Sequence, residues 1–143
     1  MSCHITPYTL TIKASNYPST LDDTLIGAWV GGHLQKDGTN KRWRQIRNSD
    51  GSYVIFFGYS NENNASYETS ESGRWWIKNG KYHEINPSRM SKPDIYRYEL
   101  YNDKCLKFTQ LSRDDSGDEY EGYSFTECRS KKTIFTKWLY ERV

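Results

Sequence analysis

The 143-residue chain is poor in several things at once: it has two Met, four Pro, three Cys and few aliphatic residues. No stretch approaches the roughly 20 apolar residues that cross a bilayer, so no membrane span is expected. The formal net charge is +2, too small by itself to argue for nucleic acid or an anionic membrane as partner. No positively charged start followed by an apolar run opens the chain, so the cytoplasm is the expected compartment. A leader removed before Met1 would instead make the protein secreted or periplasmic. Cys3, Cys105 and Cys128 have no metal-ligand spacing, and an odd count without a leader favours free thiols. A Gly-rich phosphate loop, a nucleophile elbow and a metal-spaced His/Cys set are all missing. No catalytic residue, metal ligand or cofactor is therefore assigned, and the chain is not expected to be an enzyme.

What the chain has is aromatic mass: 12 Tyr, five Trp and five Phe. Tyr and Trp carry a polar handle on an apolar body, which suits half-buried surfaces and pockets. The length fits one domain able to bury a core without staples. Residues 1–24 read as an N-terminal arm, with a brief alternation through Tyr8, Leu10 and Ile12. The domain proper spans 25–143.

From Leu25 onward turn signals recur, and the pieces between them suit strands: 26–34, 41–48, 52–59, 73–79, 80–85, 94–101, 104–111 and 120–129. Asn79-Gly80 and Asp50-Gly51 are strong two-residue hairpin signals. The polar stretch 60–72 reads as a long loop. Eight short strands joined as hairpins predict an antiparallel sandwich or barrel. In the tail, Ile134, Phe135, Trp138 and Leu139 fall on one helical face, which predicts a short helix, with a ninth strand as the rival.

Strand register follows from which side chains oppose each other, because a one-residue slip turns every side chain over. Across Asn79-Gly80, Ile77 is set against Tyr82 and Trp76 against His83. Across Asp50-Gly51, Ile46 is set against Ile55 and Arg44 against Phe57. A three-residue loop in the 94–111 hairpin sets Tyr98 against Leu106 and Tyr96 against Phe108. Centring the last hairpin on Ser116-Gly117 sets Phe108 against Phe125, Gln110 against Tyr123, and Cys105 against Cys128 on the outer face. A disulfide is within reach of that last pair, but two packed free thiols are the expectation for a cytoplasmic chain. The inner face mixes aromatics with Gln110 and Glu127. A barrel with a wet or ligand-filled interior tolerates such polar groups better than a solid sandwich core.

Gly27-Ala28-Trp29 in the first strand and Arg129 just past the last, in an eight-stranded up-and-down pattern, resemble the calycin group of lipocalins, fatty-acid-binding proteins and bacterial lipocalin-like domains. The resemblance covers 25–143, is nearest the bacterial lipocalin-like domains, and implies an all-β, eight-stranded antiparallel barrel. It also implies that Trp29 closes the base beside Gly27 and that Arg129 packs over Trp29. A cation over an indole face contributes about 0.5–2 kcal/mol. Gly31 and Gly32 are expected to let the first strand bend. The Thr-Asp-Tyr-like turn of secreted lipocalins is only echoed, at Asp94.

Other features have ordinary readings. His4 and His33 are scattered, and His83 reads as a surface histidine. Lys41, Arg42, Arg44 and Arg47 interleave with Trp43, a pattern that binds single-stranded nucleic acid. Near-neutral total charge argues against that, and favours outward charges with Trp43 in the core. Trp75 and Trp76 must point to opposite faces. Asn64-Ala65-Ser66 fits a glycosylation pattern that matters only after secretion.

The expected function is a non-enzymatic lipocalin-like barrel holding a small apolar or amphipathic molecule against Ile55, Phe57, Tyr96, Tyr98, Phe108, Tyr123 and Phe125. The alternative is a protein-binding module of the same fold, such as an immunity or inhibitor protein that neutralises a toxin or nuclease. Its docking residues would be Arg113, Asp114, Asp115, Asp118 and Glu119. A lipocalin-like isomerase ranks third, since no paired acid and base stands out.

Overall fold

The computed structural model describes residues 20–61, 66–113 and 119–130. The arm over 1–19, the tail helix and Asp114, Asp115 and Asp118 lie outside the described residues. Eight strands follow a 3-10 turn, Asp23–Leu25: β1 (Gly27–Leu34), β2 (Asn40–Arg47), β3 (Ser52–Ser60), β4 (Ser66–Lys78), β5 (Lys81–Ile85), β6 (Asp94–Asn102), β7 (Cys105–Arg113) and β8 (Glu119–Arg129). They close in chain order into one antiparallel up-and-down barrel. Every strand pairs with its sequence neighbour, and β1 pairs with β8. The expected barrel is the observed one.

Turn chemistry decides the register. Asn79 and Gly80 both take positive φ, 54° and 74°, as a primed two-residue turn requires. Ile77 accordingly faces Tyr82 and Trp76 faces His83. The Asp50-Gly51 hairpin departs from expectation. Asn48 N–H donates to the Ser52 carbonyl at 2.9 Å, and Gly51 N–H to the Asn48 carbonyl at 3.1 Å. The loop thus has three residues, 49–51, with Gly51 at φ 87°, the geometry of a turn ending in a left-handed glycine. Gln45 therefore faces Ile55 and Trp43 faces Phe57, one residue away from the expected pairing. Trp43, Gln45 and Arg47 face the interior opposite Phe57, Ile55 and Tyr53, so Trp43 is core as expected while Arg47, expected outward, is buried.

Two bulges adjust the remaining hairpins. In β6–β7 the loop shortens to Asp103-Lys104, with an irregularity between Leu100 and Asn102. Tyr98 then faces Phe108, and Tyr96 faces Gln110. The shift is two residues, so the inner face is kept. In β7–β8, Phe108 faces Phe125, but between Thr109 and Leu111 the register shifts. Two β8 residues, Gly122 and Tyr123, stand where β7 has only Gln110, so the expected Gln110–Tyr123 pair does not form. Cys105 faces Cys128, and the two form a disulfide with Cα atoms 4.0 Å apart. Free thiols were the expectation; the sulfurs are bonded. β4 begins at Ser66, so residues 66–72, expected as loop, extend the ladder to Ser60↔Ser66.

The first described residues belong to the barrel. Thr20 carbonyl accepts from Ile77 N–H at 2.7 Å, and Leu25 is fully buried beneath the aromatic core. The core joins Trp29, Trp43, Tyr53, Trp75, Tyr82, Tyr96 and Phe108 with Ile55 and Leu106. Gly31 contributes by what it lacks. A Cβ there would lie 2.5 Å from the Trp43 indole, so the expected bend site is instead the flat floor on which that ring rests. Among the described residues, no helix is long and apolar enough to cross a membrane.

Candidate functional site

The barrel's two ends differ, and the inner side chains grade from one to the other. At the base, Trp29 indole N–H donates to the Leu25 carbonyl at 2.9 Å. The Arg129 guanidinium carbon lies 4.5 Å from the Trp29 ring centroid. Arg129 also donates to the Thr24 carbonyl at 2.8 Å and the Ile26 carbonyl at 3.3 Å. Gly27, at φ 124°, sits beside it, and a Cβ there would approach Arg129 Nη1 to 3.3 Å. Tyr98 belongs to this end, since its hydroxyl donates to Asp22 Oδ2 at 2.8 Å. The Asp22 carboxyl is held below its ordinary value: burial raises it, and hydrogen bonds from Thr24 and Tyr98 outweigh that.

The midplane is packed and ionic. Arg47 Nη2 lies 2.9 Å from Glu127 Oε1, with both side chains 1% exposed. The other Glu127 oxygen accepts from Trp43 indole N–H at 2.8 Å. Arg47 also donates from Nε to the Tyr82 hydroxyl at 2.9 Å and from Nη2 to Gln45 Oε1 at 3.1 Å. Tyr82 hydroxyl donates in turn to Glu84 Oε1 at 2.8 Å, and Gln45 Nε2 donates to the same oxygen at 3.2 Å. The guanidinium lies 4.9 Å from the Tyr82 ring and 5.2 Å from the Phe108 ring. Burial acts to lower the Arg47 pKa, but Glu127, Tyr82 and Glu84 leave it raised. Burial pushes the Glu84 carboxyl up, against the pull of Arg47 and the bonds from Tyr82 and Gln45. Leu106, Phe108 and Glu127 expose at most 1% of their surface, so no water-sized space adjoins them.

Toward the other end the inner rings emerge. Phe57, Tyr59 and Phe125 are half-buried, while His33 and Tyr123 are exposed. Lys41 Nζ lies 4.7 Å from the Phe57 centroid and 5.9 Å from that of Tyr59. Burial lowers the Lys41 pKa, with the Glu71 charge opposing. His33 meets Tyr123 edge-on at 6.0 Å, and Trp43 meets Phe125 edge-on at 5.3 Å. These part-exposed rings, with one partly desolvated ammonium over two of them, are chemically suited to a molecule with an apolar body and a polar end.

The seven residues expected to line a ligand are divided by this gradient. Tyr96, Phe108 and Ile55 are core, with Phe108 fully buried and the other two under 9% exposed. Tyr98 is at the base. Phe57, Phe125 and Tyr123 reach the open end. Sequence reasoning missed Lys41, Gln45, Arg47, Tyr82 and Glu84. Lys41, Gln45 and Arg47 share the Trp43 face of β2, and Tyr82 and Glu84 the inner face of β5; only barrel closure brings these strands' side chains together. His83, expected at the surface, is buried on the outer side of β5, stacked on Trp76 at 5.4 Å. Burial lowers its pKa, although its contact with the Lys81 carbonyl opposes this. Trp75 points inward and Trp76 outward, and both are buried. Arg113 and Glu119 face each other at the ends of β7 and β8.

A groove of 280 Å3 lies beside the barrel rim, lined by Val54, Ser70, Glu71, Ser72, Asn86, Ser88 and Arg89. It is polar, and the Arg89–Glu71 ion pair at 2.5 Å belongs to it. Among the described residues, no group of three or more His, Cys, Asp or Glu is placed to hold a metal ion. No protein-family model matches the chain, and no curated protein matches it either.

Proposed function

We propose that the chain is a non-enzymatic, lipocalin-like barrel of the calycin group that binds a small amphipathic molecule at its open end. The observation that carries this reading is the half-buried ring set Phe57, Tyr59 and Phe125 with Lys41 over the Phe57 ring, above the buried side chains of Arg47, Phe108 and Glu127. The ligand's apolar body rests on the rings and its anionic or polar end meets the Lys41 ammonium. Membership of the calycin group is supported by Gly27, Trp29 and Arg129, which meet at the base as the resemblance implies. The Cys105–Cys128 bond supports an oxidising compartment over the cytoplasm. Titration with a fluorescent fatty acid tests the proposal. Saturable one-to-one binding, weakened by Lys41→Met, is expected; no saturable binding overturns it.

A second reading, a protein-binding module such as an immunity or inhibitor protein, is favoured by the filled midplane. A barrel whose described midplane side chains, such as Arg47, Phe108 and Glu127, are buried against one another is free to work through its outer surface. Co-purification with the product of a neighbouring gene tests that reading.

A further inference from the structure

β5 and β6 meet along a short ladder, Tyr82↔Tyr96, His83↔Ile95 and Glu84↔Asp94. Tyr82 and Tyr96 are core residues, and side chains two apart on a strand share a face. Glu84 and Asp94 are therefore two carboxylates at directly opposed positions of the inner face, toward the open end. Like charges so placed destabilise a sheet. Glu84 Oε1 accepts from Tyr82 and Gln45, and Arg47, which ion-pairs with Glu127, reaches it only through the Tyr82 hydroxyl. Among the described residues, no hydrogen bond reaches Glu84 Oε2 or either Asp94 oxygen. Both side chains are half-buried. Burial raises the Asp94 carboxyl, and it raises the Glu84 carboxyl against the pull of Arg47.

A third strand brings a polar group to the same place. Tyr53, on β3, is 3% exposed. A Cβ on Gly73 would lie 2.9 Å from Tyr53 Cε2 and 2.0 Å from the Ile85 carbonyl oxygen. The bare Gly73 backbone thus lets the Tyr53 ring cross β4 to the end of β5, beside Glu84. Burial raises the Tyr53 phenol, and the charges of Glu84, Glu71 and Asp94 raise it further. Its hydroxyl makes no hydrogen bond among the described residues. Tyr96 and Tyr123 also stand within reach of both carboxylates: burial raises each phenol, and Glu84 and Asp94 add to it. Tyr96 is 8% and Tyr123 44% exposed, so the phenols lead from the core to the open end.

We propose that Glu84 and Asp94, with the phenols of Tyr53, Tyr96 and Tyr123, hold the protonated amine of a small organic ligand. An ammonium carries three N–H donors and no acceptor, which complements two carboxylates and a free phenol oxygen. Tyrosine faces attract a cation and pack the apolar group attached to it. A divalent metal needs a fuller shell of oxygens, and among the described residues no group of three or more His, Cys, Asp or Glu is placed to hold one. The site lies on β5 and β6, whereas Lys41 is on β2 and repels an ammonium. It therefore selects the opposite charge from the Lys41 rings and does not rest on the fatty-acid reading.

Calorimetric titration of the full-length, disulfide-intact protein with 2-phenylethylamine at neutral pH tests the proposal. Saturable one-to-one binding is expected. The N-acetylated amine, which keeps the ring and loses the charge, should bind at least about tenfold more weakly. Asp94→Asn should weaken binding of the free amine by about the same factor, and Glu84→Gln serves if that variant fails to fold. Lys41→Met, which is expected to weaken fatty-acid binding, should leave amine binding unchanged. The proposal is overturned if the amine does not bind saturably, if the acetylated analogue binds equally well, if the folded carboxamide variant keeps wild-type affinity, or if Lys41→Met loses as much affinity as Asp94→Asn.

Discussion

The base and the open end of this barrel are built from the same residue types and do different work. At the base, Trp29 has a hydrogen-bonded N–H, a guanidinium over its face and Leu25 beneath the core. The Trp29 indole N–H and two Arg129 nitrogens donate to the carbonyls of Leu25, Ile26 and Thr24, and the Tyr98 hydroxyl donates to Asp22. At the open end, Phe57 has Lys41 over its ring without such a seal. A ring with its polar surroundings satisfied by backbone is a plug, whereas a ring left half-wet beside a partly desolvated cation is the surface on which we propose binding. Between them, the Arg47–Glu127 pair separates the halves and fills the volume that a deep ligand would need.

The largest effect should come from breaking that partition. Arg47→Met leaves the Glu127 carboxylate buried and unpaired, which costs about 3–5 kcal/mol in chemical denaturation. The double change Arg47→Met with Glu127→Leu should recover most of this, because a packed apolar pair often replaces a buried ion pair without loss. At the base, Trp29→Ala should cost about 3–5 kcal/mol as a core truncation. A near-neutral result would remove the plug from the account. Reducing the Cys105–Cys128 bond, which joins residues 23 apart, should cost about 2–4 kcal/mol. Thiol titration of the untreated protein checks the bond first, and three reactive thiols would contradict it. At the open end, Phe57→Ala should cost less, about 1–2 kcal/mol, since the ring is only half-buried.

The smallest effect concerns pH. The folded state holds the Glu84 proton more tightly than the unfolded chain does, because burial raises its pKa above the ordinary 4.5. Stability from this group is therefore complete below that value and is lost as pH rises through the raised folded value. Glu84→Gln should consequently gain stability relative to wild type as pH increases. A constant difference across the titration would mean that the carboxyl is not held protonated.

Strand number and hairpin order were readable from the turn residues, because Gly and Asn at fixed places announce the chain's reversals. The β2–β3 register was not. Asp50-Gly51 looks like a two-residue turn, but the loop starts one residue earlier, and Gly51 takes its final, left-handed position. That single residue decided which β3 side chains oppose Trp43 and Gln45, whereas Arg47 shares the inner face with Trp43 by alternation although its charge pointed to an outward reading. The first half of β4 was hidden because Ser66–Ser72 is polar and carries no alternation, yet it pairs with Val54–Ser60 of β3. The ionic midplane was unreadable for a different reason. Arg47 and Glu127 are 80 residues apart in the chain, and only barrel closure brings them together. The cysteine pairing was visible in the last hairpin's register, but compartment reasoning pointed away from a bond.

The central claim is that function resides at the open end and stability at the base. Titrating a fluorescent fatty acid into wild type, Phe57→Ala and Tyr98→Phe separates the two most directly. The account predicts saturable binding to wild type, about tenfold weaker binding to Phe57→Ala, and unchanged affinity for Tyr98→Phe, whose hydroxyl serves Asp22 at the base. Equal loss in both variants, or no saturable binding at all, would contradict it.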